Sequence, residues 1–474
     1  MGEKEVVINK EIELTPEEQH LIKRYLFKTD LRVLPIFGFV YFFAVMDRAN
    51  VGAALANGII ENLKLSSTDQ GNIGSFFFIF YVISETPANM LLKKFKPHIW
   101  FSFIICAWSI VVMCMAATKT AATFIVCRSF LGMFESGLTP GVVAYLPYWY
   151  TRSEIGFRMS MFFAAGTLSG VFGNPIAAGL AQHKIGSLAS YNTIFLIEGA
   201  LSLFFGILTY FFIQDYPDTC TFLTEPEREV AIRRISADQG VASQAKNSLH
   251  DTLAALKDWK MWIYALMFLA VNINATTIAF FGPIIIKSMG YSSTRATILA
   301  SIPNLFGFIG QMTTGWTMHA FPLWMNSVFF SACAIAGAAV LGFAKASSTV
   351  KMVFLCLFGF GGLPNIPIVA TWMSVNSGGI SKRMVASAMT VSFGGISGFI
   401  TPYLNTSKSA PKYHTSFVVN ICASAFILGM ALLLMTYFTA ENARRDRVSK
   451  DVSHLSEAEQ RALNDLHPEF RYRL

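Results

Sequence analysis

Twelve stretches of about 20 mostly apolar residues run through this chain, each long enough to cross the hydrocarbon core of a bilayer as a helix. Six come first, at residues 33–56, 71–92, 99–117, 121–150, 157–180 and 191–213. Six more follow, at 261–286, 296–318, 323–344, 350–377, 384–404 and 416–438. With 53% hydrophobic and only 14% charged residues among 474, the chain cannot hide its apolar surface in one soluble core and needs lipid as solvent.

The longest polar stretch between runs, residues 214–260, divides the chain into two six-helix halves, 33–213 and 261–438. Residues 1–32 and 439–474 read as tails. Within the linker, Thr224 followed by Pro226 and Glu227 is a helix-start signature, so part of it is expected to form a surface helix. The acidic, polar N-terminus lacks the basic start and short apolar core of a signal peptide.

Lys and Arg cluster on alternate loops, at Lys23/Arg24/Lys28/Arg32, Lys93/Lys94/Lys96, Arg152/Arg158, Lys382/Arg383 and Arg444/Arg445/Arg447. The other loops hold one or two each: Lys64, Lys119, Lys184, Lys287/Arg295, Lys345/Lys351 and Lys408/Lys412. This bias places both tails and the linker in the cytosol. The net charge of +8 is thus a topology signal, and nucleic acid is excluded as a partner. The expectation is an all-α membrane protein of twelve transmembrane helices in two pseudo-symmetric six-helix bundles, a repeat layout that puts a central binding site at their interface. Gly and Pro interrupt the fourth run at Pro140 and Pro147 and the tenth at Pro364 and Pro367, as happens where helices line a cavity.

Every Lys and Arg can be assigned to a loop, a tail or a helix end except Arg48 and Arg128. A charge at the centre of a membrane helix costs about 2.5–3.5 kcal/mol on insertion scales, so such residues face a cavity or a partner. Asp47 and Glu135 join them. A rise of about 1.5 Å per residue puts Asp47 and Arg48 roughly 21–23 Å from the inner face, Arg128 roughly 10 Å below the outer face and Glu135 roughly 21 Å below it. Arg128 and Glu135 are seven residues apart and share one helix face, whereas Asp47 and Arg48 point about 100° apart.

Two guanidiniums at one level suit a carboxylate, which makes an organic anion the expected ligand. Burial disfavours a charged carboxylate and a neighbouring Arg favours it, so a substrate that occupies the Arg draws a proton onto the acid. Asp47 and Glu135 are the proton-coupling candidates on this reasoning. The alternative is that the four charges form buried ion pairs that only fix helix packing. Glu85 and Glu198, nearer to helix ends, read as structural. The second half offers amides instead: Asn272, Asn274, Asn304, Gln311, Asn365 and Asn376, with Trp372. Of these, Asn272, Asn274, Trp372 and Asn376 join Arg48 and Arg128 as candidate substrate contacts.

Six of the seven Cys lie inside apolar runs without metal-ligand or disulfide spacing, and no nucleophile motif or phosphate loop is present. Neither an enzyme nor a bound cofactor or metal is expected.

The segments FAVMDRANVGAA in the first run and CRSFLGMFESGLTPGVVAYLPYWYTRSEIGFR across the fourth resemble the major facilitator superfamily, and within it the anion:cation symporter family. NMLLKKFKPHIW, TWMSVNSGG and TAENARRD are similar to its fungal allantoate-permease branch, which holds nicotinate, pantothenate, biotin and allantoate carriers. The resemblance implies the major facilitator fold, protonatable acids at Asp47 and Glu135, and substrate-carboxylate contacts at Arg48 and Arg128. Two family features depart here: the loop after the second span keeps Lys93, Lys94 and Lys96 but lacks the acid, and the loop after the eighth has His319 where an acid is usual.

The expected function is a monomeric, plasma-membrane symporter importing a small organic anion with protons, a vitamin-like or nitrogenous carboxylate, by rocking of the two halves. Uncoupled facilitation, anion exchange, or nutrient sensing on a transporter scaffold are the alternatives.

Overall fold

Each apolar run folds as helix for the reason that makes it apolar: in hydrocarbon every backbone N–H and C=O must be bonded within its own segment. The computed structural model describes residues 15–56, 59–180, 192–239, 256–378, 380–404, 413–447, 452 and 463–474. The acidic start of the chain, Lys184, Lys408, Lys412 and the linker at 240–255 lie outside these residues.

The spans, numbered in chain order, are Pro16–Ala56, Ser67–Lys94, Pro97–Met115, the broken pair Ala121–Glu135 and Leu138–Tyr145, Ile155–Leu180 and Asn192–Phe212. After the linker helix Glu225–Gln239 come Trp259–Ser288, Ser301–Ala320, Leu323–Phe343, the broken pair Ser348–Gly362 and Asn365–Asn376, Ile380–Leu404 and His414–Arg447. Among the described residues, eleven stretches are long and apolar enough to cross a membrane. The eighth span is not one of them: Asn304, Gln311, Thr313, Thr314, Thr317 and His319 dilute a helix of 20 residues. Large apolar side chains such as Phe211 and Trp316 stand on the outer surface, as lipid-facing helices require.

The first span is 41 residues, about 61 Å, twice what a bilayer needs. Its first turns are helical where a tail was expected, because Thr15 and Glu18 cap each other's backbone N–H at 3.3 and 3.0 Å. This extension packs on the linker helix, where Lys28 Nζ and Arg24 Nε reach Glu227 at 2.7 and 3.3 Å. The linker helix begins as its sequence signature predicts, with Thr224 N–H donating to Glu227 at 2.9 Å. The end of the molecule that carries it is called the linker face below.

The first six spans pack mainly on one another, three against six, one against five and six, two against four. The last six do likewise, seven against eleven, nine against ten and twelve. The two sets meet where the fifth span lies on the eighth and the second on the eleventh. Polar bonds mark both seams: Thr167 Oγ1 to Gln311 Oε1 at 2.7 Å, Ser392 Oγ to Glu85 Oε2 at 2.7 Å, and Asn89 Nδ2 to the Met384 carbonyl at 2.6 Å.

Candidate functional site

Between the two sets lies a cavity of about 160 Å³. Tyr41 and Arg48 line it from the first span and Thr167 from the fifth. Asn272 and Thr276 from the seventh and Asn304 from the eighth face them. Gly166 makes room for this wall, since a Cβ there would stand 2.3 Å from the Tyr41 ring.

Arg48 is the cation of the cavity. Its Nε bonds Glu135 Oε1 at 2.5 Å, its Nη2 donates to the Tyr81 hydroxyl at 3.2 Å, and its guanidinium lies 4.8 Å over the Tyr81 ring. Glu135 is fully buried and its second oxygen makes no hydrogen bond. The Arg48–Glu135 pair is therefore asymmetric, with the Arg partly open to the cavity and the acid sealed behind it. A glycine sets that geometry: a Cβ on Gly132 would stand 2.2 Å from the Phe77 carbonyl oxygen, so the fourth span can approach the second this closely only without a side chain.

The two guanidiniums do not form the fork expected from their depth. Arg128 is buried behind the ring of Phe77, 4.7 Å from its centroid, while Arg48 stands 5.8 Å from the same centroid. Arg128 does not line the cavity, and its Nε and Nη1 make no hydrogen bond. Asp47 points away from Arg48, as their 100° offset implies, and accepts a bond from Ser202 on the sixth span at 3.2 Å, leaving its other oxygen unbonded. Glu198, one turn before Ser202, is fully buried with neither oxygen bonded. Its apparent nearness to a helix end made it read as structural.

In the second half the amides divide. Asn272 borders the cavity and donates to the Phe268 carbonyl at 2.8 Å. Asn274 faces the other way and bonds Ser424 on the twelfth span at 2.9 Å. Trp372 and Asn376, grouped with the substrate contacts on sequence alone, stand instead at the linker face, where Trp372 Nε1 and Asn376 Nδ2 donate to the Arg473 carbonyl at 2.9 and 3.0 Å. They are held by the chain's own end, a pairing across 97–101 residues that local sequence does not display. Tyr81 and Phe77 were not anticipated, because within SFFFIFYVISE they look like ordinary apolar residues.

The model of the Major Facilitator Superfamily matches residues 37–402. The chain is 27% identical to the MFS transporter prlL of Fungal sp. (strain NRRL 50135), covering 94% of this chain and 92% of that protein. It is 31% identical to a putative tartrate transporter of Agrobacterium vitis, over 70% of this chain and 73% of the other. Its fold is shared with the proton:xylose symporter XylE at a TM-score of 0.69 and 12% identity, covering 88% of this chain and 96% of that one. The E. coli fucose:proton symporter FucP superposes at 0.63 and 16% identity, covering 84% and 98%.

Proposed function

Because the chain belongs to the Major Facilitator Superfamily, we propose that it is a proton-coupled symporter that imports a small organic anion, through a site built on Arg48. One observation carries this reading: the cation in the cavity wall is already paired with a buried acid, Glu135. A substrate carboxylate and Glu135 are then alternative partners for one guanidinium. When Glu135 takes up a proton it releases Arg48, and the arriving carboxylate restores the pairing bidentately. Each proton thus favours an anion and each anion a proton, the reciprocity that linkage demands.

Asp47 and Glu198 supply further protonatable carboxyls, and Arg128 the cation that balances them. Asn272 and Thr276 orient the non-ionised part of the substrate. Compared with the 300 Å³ or more that drug-sized ligands need, the cavity suits a small solute. A vitamin-like or nitrogenous carboxylate such as nicotinate, pantothenate or allantoate agrees with the anion:cation symporter resemblance, and the tartrate relative is itself named for a carboxylate. Residues 33–213 and 261–438 act as the two rocking bundles, and the linker face is cytosolic at the plasma membrane.

Uptake of a panel of labelled carboxylates into proteoliposomes under an imposed pH gradient tests this reading. Accumulation that rises with external acidity and collapses with a protonophore is expected for at least one carboxylate, but not for its amide analogue. Uptake indifferent to the protonophore would replace symport by uncoupled facilitation, and equal uptake of the amide would exclude the Arg48 site.

A further inference from the structure

The last described segment, residues 463–474, does not hang free. Its anchor is Asp465, fully buried, with Oδ2 2.8 Å from Lys260 Nζ and Oδ1 bonded to Lys382 Nζ. Tyr472 OH donates to the same carboxylate at 2.8 Å. Arg445 Nη1 donates to three carbonyls of the segment, those of Asp465, His467 and Phe470, at 3.0, 3.2 and 2.8 Å. Two amides then clasp the backbone, each both giving and accepting. Asn442 donates to the Tyr472 carbonyl at 2.8 Å and accepts its N–H at 2.9 Å; Asn376 does the same for Arg473 at 3.0 and 2.8 Å. The Tyr472 ring stacks on Phe438 at 4.5 Å, and Leu323 N–H donates to the Leu474 carbonyl at 2.8 Å.

All these anchors belong to the second helix set, spans seven and nine to twelve. Opposite them stands Arg152, in the turn between the fourth and fifth spans. Its guanidinium lies 4.3 Å over the Phe470 ring and its Nη1 donates to the Arg471 carbonyl at 3.4 Å. That turn is fastened to the first set in its own right, because Arg234 of the linker helix bonds Thr151 at 3.3 Å and pairs with Glu154. The segment therefore joins two bodies, each firmly held on its own side, across the linker face.

We propose that residues 463–474 are a latch that holds the linker face closed and must release Arg152 once in every transport cycle. The inference rests on the alternating-access reading above, in which the two sets part on this face. Its anchor is not a pH switch. Burial alone would push the Asp465 carboxyl up, but Lys382 and Lys260 outweigh it and hold it at about 2. A depressed carboxyl stabilises above its unfolded value of about 4 and loses that contribution only as pH falls toward 2, so the anchor persists throughout pH 5–8.

A reducible thiol–thiol cross-linker applied to the full-length Arg152→Cys/Phe470→Cys protein in vesicles separates a moving contact from a static one. If the contact opens in each cycle, linking it lowers uptake at least tenfold and reductant restores the rate. Linked protein that transports at the unlinked rate would overturn the proposal. Should the double variant carry no substrate before linking, Ser387→Cys decides the matter, since Ser387 is buried at the same seam, bonded to Asn89 at 3.0 Å. Phe470→Ala should raise its labelling by a maleimide from the linker side at least threefold in Ser387→Cys protein. Unchanged labelling would overturn the latch, whether or not the carboxylate panel has revealed a substrate.

Discussion

Midway through the membrane the two helix sets are built from different chemistry. In the first, buried charges concentrate at the centre: Asp47, Arg128, Glu135, Glu198 and Glu85, with Arg48 beside them. In the second, among the described residues, the buried centre holds amides and hydroxyls, while Lys260, Lys382, Arg383 and Arg445 gather at the linker face. The amide nitrogens are bonded locally: Asn365 Nδ2 bonds Ser331 at 3.3 Å and the Gly361 carbonyl at 3.3 Å, and Asn420 Nδ2 bonds the Ser416 carbonyl at 2.8 Å, while the Oδ1 atoms of Asn274 and Asn420 stay unbonded. Groups bonded in this way specify packing. The charges are left shorter of partners: one oxygen of Glu135, one of Asp47, both of Glu198 and two nitrogens of Arg128 lack them. A protein retains such atoms in a low dielectric where a proton or a solute completes them during function. The comparison teaches that the two sets place different polar groups at their centres, ionic in the first and neutral in the second; on the proposed function the first does the ionic work and the second shapes the space beside it.

Substitutions can break that contrast, and the largest effect is expected at Arg48. Truncating one member of a buried, hydrogen-bonded charge pair costs about 2–5 kcal/mol, so Arg48→Ala should lower initial uptake by roughly a hundredfold or more in proteoliposomes containing equal amounts of folded protein. Uptake within fivefold of wild type would remove Arg48 from the site. Arg128→Gln should act more weakly, by roughly ten- to a hundredfold, since Phe77 keeps it from the cavity; a loss as large as at Arg48 would mean the substrate reaches behind that ring. In the second set, Asn272→Ala should raise KM by about five- to tenfold with kcat little changed, the size of one neutral hydrogen bond. Asn274→Ala is expected to leave KM within twofold and to lower thermal stability slightly, by about 0.6 kcal/mol for a helix–helix bond in lipid. A KM effect at Asn274 equal to that at Asn272 would erase the distinction between cavity and packing amides.

Much of the fold was legible because lipid leaves few options. Length and apolarity locate the spans other than the polar eighth, and the Thr224–Glu227 spacing locates the linker helix; the Pro and Gly of the fourth and tenth runs announce a break in each, which falls at 136–137, ahead of Pro140, and at 363–364, with Pro140 and Pro367 inside the helices that follow. The four central charges stood out for the same energetic reason. Their pairing did not. Seven-residue spacing puts Arg128 and Glu135 on one stripe, but how that stripe turns toward the first span depends on a Gly132–Phe77 backbone contact between helices. Arg48, not Arg128, takes the acid as a result. Trp372 and Asn376 looked like site residues because polar groups in a span usually are candidates, and only the return of residues 463–474 shows what they bind.

The central claim is that Glu135 and the substrate carboxylate compete for Arg48, and the pH dependence of substrate affinity tests it most directly. Binding of a transported carboxylate to purified wild-type protein should tighten as pH falls from 8 to 5, because protonation of Glu135 frees Arg48. In Glu135→Gln the same titration should be flat and tight at every pH, with exchange retained and proton-driven accumulation lost. A Glu135→Gln protein whose affinity still tightens with acid as steeply as wild type would contradict the account.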